Sequence, residues 1–124
     1  SRVYVISEAD SAVHVWTGAS DENGAAYTKA ANLGAGLYIN GGGVDVMDDG
    51  TVLVSDGVNN RVLAFDSEHT LVGMLRDTAA PVIRDPRGCA FKPDGSVIWV
   101  TLRSGKSVQR WNRRNTKAAG LIVY

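Results

Sequence analysis

The chain has 124 residues, no net charge at pH 7 and 44% hydrophobic residues. That is one domain's worth of chain, with enough apolar content to exclude intrinsic disorder. No apolar run approaches the ~20 residues of a membrane helix and no secretory leader pattern opens the sequence, so a soluble chain is expected.

Taken in chain order, short alternating runs separated by turn residues predict strands throughout. The first are Val3–Ile6 and Ala12–Trp16, joined by a turn at Glu8–Ser11. Residues 17–40 are rich in glycine and alanine, and Ala26–Ala30 is preferred over Gly36–Ile39 as the strand within them. Gly43–Met47 follows, then a tight turn at Asp48-Asp49-Gly50, the strand Thr51–Ser55, a turn at Gly57–Asn60, and the strands Arg61–Asp66 and Thr70–Leu75. The pattern then recurs. Gly88–Phe91, a turn at Lys92–Gly95, Val97–Thr101, a turn at Ser104–Lys106, Ser107–Trp111 and Thr116–Val123 repeat it about 45 residues later. Alternation within Gly43–Met47 places Val44 and Val46 on one side and Asp45 and Met47 on the other. The lone cysteine, Cys89, excludes an internal disulfide and a multi-cysteine zinc site, and reads as a small buried residue.

A period of ~40–50 residues with several short strands per unit is the signature of a β-propeller blade. The fold class expected is therefore all-β: a partial propeller of two to three four-stranded antiparallel blades. Residues 1–40 form an incomplete blade that lacks its inner strand, and 41–80 and 81–124 form two further blades. Trp16, Phe65 and Trp111 fall at matching positions, and Phe65 and Trp111 are expected to be buried between blades. A ring needs at least about four blades, so completion by oligomerisation or by a complementary propeller chain is expected. Charge fits such a contact. Through Ala80 there are four basic residues against eleven acidic ones, and from Pro81 onward nine against two, which suits head-to-tail self-association.

The residues Gly43-Val44, Asp49-Gly50, Val52-Leu53-Val54, Asp56 and Asn59-Asn60-Arg61-Val62 resemble the NHL repeat. The last unit is similar to the six-bladed gluconolactonase and strictosidine-synthase-like propellers, through Pro86-Arg87-Gly88 and Phe91-Lys92-Pro93-Asp94-Gly95. The resemblance implies the propeller fold. It also implies, for the metal-dependent members, carboxylate and asparagine ligands at the ends of inner strands. Here Arg87 and Gly42 occupy the positions where such ligands are expected. No cofactor is therefore expected of this chain alone, and a calcium or zinc ion only if another chain completes the site.

Six residues stand out as ligand-binding candidates. Asn40, Arg84, Asp85 and Arg87 lie in the connections that lead into inner strands, and Arg103 lies in a turn on the same face. Asp45 is a carboxylate in an inner strand, costly to bury unless paired; it is either a channel-facing ligand or base or a partner for Arg87. Asp56 reads as a clamp for the turn at Asn59–Arg61. His14 and His69 read as incidental. The basic residues Arg110, Arg113, Arg114 and Lys117 lack the exposed aromatics that nucleic-acid binding wants. The reading that follows is a non-catalytic propeller segment mediating association and ligand or protein binding. The alternative is part of a six-bladed metal-dependent lactonase- or lyase-type enzyme whose catalytic residues lie outside this chain.

Overall fold

A computed structural model describes residues 1–18, 23–76 and 83–114. Among them the chain is all-β, with three antiparallel sheets and no helix, and thus no helix long and apolar enough to cross a membrane. The first sheet contains β1 (Arg2–Ser7), β2 (Ala12–Gly18) and β3 (Tyr27–Lys29). The second contains β4 (Val44–Val46), β5 (Val52–Asp56), β6 (Arg61–Phe65) and β7 (Leu71–Arg76). The third contains β8 (Pro86–Phe91), β9 (Val97–Leu102) and β10 (Ser107–Asn112). Strands expected up to Trp111 are present with ends shifted by one or two residues, and Thr116–Val123 lies outside the described residues. In residues 17–40 the strand is Tyr27–Lys29, pairing Lys29 with Trp16. Gly36–Ile39 forms no strand.

Each sheet is a meander of sequence neighbours, as tight turns dictate. Gly50 and Gly95 close equivalent turns at φ 88° and 73°, a conformation that costs glycine nothing. Their N–H groups donate to the Met47 and Lys92 carbonyls at 2.9 and 2.8 Å.

Strand alternation sends side chains to both faces, and the central strands β5 and β6 of the middle sheet are covered on both. Val52, Val54, Leu63 and Phe65 meet Val13 and Val15 of the first sheet in one core, which Leu33 and Ile39 complete. Leu53, Val62, Ala64 and Leu75 meet Ile98, Val100 and Leu102 of the third sheet in a second core, with Ile83. Phe65 is 1% exposed, and Trp111 is partly buried against the second core. Each fully buried aliphatic or phenyl side chain contributes about 1.5–3 kcal/mol, so the two cores are the main source of stability.

Val44 packs on the first core, and Asp45 turns the other way, toward the third sheet. Val46, on Val44's side, is 45% exposed. The reason is topological: β1 is the edge of the first sheet, and no described strand lies beyond it to cover Val46.

Polar links join the sheets as well. The Phe91 N–H donates to Oδ2 of Asp45 at 2.9 Å. The buried Ser55 hydroxyl accepts the Gly43 N–H at 2.8 Å and donates to the Arg87 carbonyl at 2.5 Å. On the opposite side Arg2 donates to the Ser67 carbonyl at 2.7 Å, and the Tyr4 hydroxyl lies 2.8 Å from Nε2 of His69. His69 is thus a bridge between sheets rather than incidental.

Candidate functional site

Three turns lie at one end of the sheets: Glu8–Ser11, Gly57–Asn60 and Arg103–Lys106. Ser11, Asn60 and Lys106 take the same left-handed conformation there, at φ 50°, 52° and 45°. The segments leading into β4 and β8 arrive at this end. Asn40 donates its N–H to Oδ1 of Asp56 at 2.9 Å, and its amide donates to Oγ of Ser11 at 2.9 Å and to the Glu8 carbonyl at 3.2 Å. The Asp85 N–H donates to Oδ1 of Asn60 at 2.8 Å, and the Arg103 N–H to the Asp85 carbonyl at 3.1 Å. Side chains of one sheet's turn thereby fix the approach to the next sheet.

Asp56 is fully buried and saturated by donors. It accepts the Asn40 N–H at 2.9 Å, Nδ2 of Asn59 at 2.9 Å and Nε of Arg61 at 2.8 Å. Asn59 and Arg61 both also donate to the Tyr38 carbonyl. With every near group satisfied inside the protein, this carboxylate is a clamp, as its turn chemistry predicts.

The charged group open to solvent is centred on Asp85. Its Oδ1 lies 2.9 Å from Nε of Arg87, an ion-pair distance without hydrogen-bond alignment, and its Oδ2 lies 3.9 Å from Nε of Arg103. The Arg87 side chain is 35% exposed and that of Arg103 69%. Space for the group comes from glycine. A Cβ on Gly57 would sit 3.0 Å from Oδ1 of Asp85, and one on Gly41 would sit 2.9 Å from Nη1 of Arg87. Arg84 is exposed and adjacent in sequence. The Glu8 carboxylate also borders Gly41 beside Arg87, so Arg84, Arg87 and Arg103 stand against Asp85 and Glu8, and the guanidinium groups suit an anionic group.

Of the six sequence candidates, the structure brings Asn40, Asp85, Arg87 and Arg103 to this end. Asp45 is held apart. Of the two roles expected for it, pairing with Arg87 is corrected: Asp45 accepts the Phe91 N–H and its own neighbour's, from Val46 at 3.0 Å, while Arg87 turns to Asp85. Among the described residues no three His, Cys, Asp or Glu side chains are grouped for a metal ion. His14 pairs with Asp10 at 2.7 Å. Burial, partly offset by hydrogen bonding with Ser55, pushes the Cys89 thiol up to about 11, so it stays protonated at neutral pH.

Sequence reasoning missed Ser55, whose one signal is a hydroxyl directly after the apolar run Val52-Leu53-Val54. No protein-family model matches the chain, and no curated protein matches it.

Proposed function

We propose that the chain is a segment of a β-propeller and that its role is association: stacking with further sheets of the same kind into a closed ring. One observation carries this reading. The central strands β5 and β6 of the middle sheet are covered on both faces, whereas the central strands of each outer sheet have one covered face and one bearing exposed apolar side chains. On the first sheet these include Val3 and Val5, both 45% exposed, and on the third Trp99 at 38% and Val108 at 64%. Monomers rarely leave such faces in water. The positive site at Asp85, Arg87 and Arg103 then lies on the turn end of the ring and serves as its binding face.

The test is native mass by light scattering at micromolar concentration. The expected result is a species larger than one chain near 0.15 M salt, losing mass as salt rises, since charge steers the contact. A single-chain mass with cooperative unfolding sinks the proposal.

A further inference from the structure

We infer that the open face of the third sheet takes the open face of the first sheet of a second copy, head to tail. This deepens the association reading and rests on it, because it assigns the faces that meet.

Strand register aligns the three sheets with one another. The two central strands of each sheet pair in the same four tiers. Val52 opposite Phe65 corresponds to Val3 opposite Trp16 and to Ile98 opposite Trp111. Leu53 opposite Ala64 corresponds to Tyr4 opposite Val15 and to Trp99 opposite Arg110. Val54 opposite Leu63 corresponds to Val5 opposite His14 and to Val100 opposite Gln109. Ser55 opposite Val62 corresponds to Ile6 opposite Val13 and to Thr101 opposite Val108. A hydrogen bond confirms the alignment. The Gly43 N–H donates to the Ser55 hydroxyl at 2.8 Å, and the Gly88 N–H to the Thr101 hydroxyl at 2.7 Å.

Alternation then assigns every position to a face. On the middle sheet, Leu53 and Val62 face the third sheet, and Ser55 reaches its Arg87 carbonyl. Their counterparts Trp99, Val108 and Thr101 form the open face of the third sheet, all exposed. The residues that receive the middle sheet include Ile98 and Val100. Their counterparts on the first sheet, Val3 and Val5, lie on its open face beside His14 and Trp16. The two open faces are thus the two halves of a contact that the chain already makes internally. Docking one on the other repeats that contact between copies.

A second copy is the occupant because it presents the matching face: its Val3 and Val5 stand where Ile98 and Val100 stand on the face that already receives the middle sheet. Both halves of the contact sit on one chain, which is the condition for a heterologous contact that closes on itself.

Val108→Asp and Val5→Asp test the assignment at exposed positions, where the fold survives; unchanged circular dichroism verifies that it has. Each variant alone is expected to run at the monomer mass. An equimolar mixture regains a dimer, because one of its two contacts is then wild type on both sides. In a Cys89→Ser background, Val108→Cys and Val5→Cys chains mixed together should be joined by a short bismaleimide, as Val62 and Val100 share one core inside the chain. Monomeric wild type would overturn the association reading itself. An oligomer indifferent to both aspartates, or one that fails to cross-link, would overturn this assignment of faces and leave association standing.

Discussion

Replacing the fully buried Asp56 by alanine removes the acceptor for three partly buried donors at once. Two are neutral N–H groups, from the Asn40 backbone and the Asn59 amide, and the third is the Arg61 guanidinium, whose side chain is 13% exposed. Sequence alone suggests about 1–3 kcal/mol for a lost turn clamp. The geometry raises that figure. Truncating one member of a buried ion pair leaves the other charge uncompensated, which costs about 3–5 kcal/mol. The Tyr38 carbonyl remains as an acceptor for Arg61 and Asn59, so the lower half of that range is expected. Urea unfolding followed by tryptophan fluorescence reads it: with a slope of about 1.5 kcal/mol/M, the midpoint falls by about 2–3 M. Asp56→Ala combined with Arg61→Leu should recover part of the loss, since no buried cation is then orphaned. A midpoint shift below about 0.5 M for the single variant, or no recovery in the double, would refute the clamp.

Three other outcomes are expected. Phe65→Ala, at the centre of the first core, should cost about 3–5 kcal/mol by the same urea assay, and a loss under about 1 kcal/mol would mean the ring is not packed as described. His69 is held below its usual pKa, first by burial and then by the charge of Arg2, partly offset by Asp66. The unfolded chain therefore takes up the proton first as pH falls below about 6.5. Stability is full above that value and declines beneath it until the folded state also protonates. His69→Gln should flatten the urea midpoint between pH 5 and 8, and an unchanged slope counts against this cause. Cys89, with its thiol raised to about 11, should resist iodoacetamide at pH 8 in the native protein and react freely in urea. Equal rates by mass spectrometry would contradict the raised pKa of this partly buried thiol.

The strands were legible because each is short, alternating and bounded by turn residues: Val52–Asp56 between Gly50 and Gly57 is the clearest case. The Asp56 clamp was legible for the same reason, since Asn59 and Arg61 follow within five residues. What stayed hidden depends on partners far along the chain. Asp45 finds its donor on Phe91, His69 finds Tyr4, and Ser55 finds the carbonyl of Arg87. Two of these three use a backbone group, which no side-chain pattern announces. The arginine pair at Asp85 was visible only as separate residues on two connections, because the glycines that let them converge are silent about what they admit.

The two sides of the middle sheet are fastened differently, and this bears on how the molecule would yield to force. Each side has one link at the turn end, Asp85 with Asn60 and Asn40 with Ser11, but toward the third sheet Asp45 with Phe91 and Ser55 with Arg87 also lie along adjoining strands, so sliding one sheet past the other loads those two bonds together. Toward the first sheet, the links sit apart, Arg2 and Tyr4 at the β6–β7 turn and Asn40 with Ser11 at the opposite end. Such fasteners are loaded one after another, like a zip rather than a rivet line. Pulled by its ends, the chain should therefore give way first between the first and second sheets. A single-molecule trace would record this as an opening step whose released length matches the residues before β4.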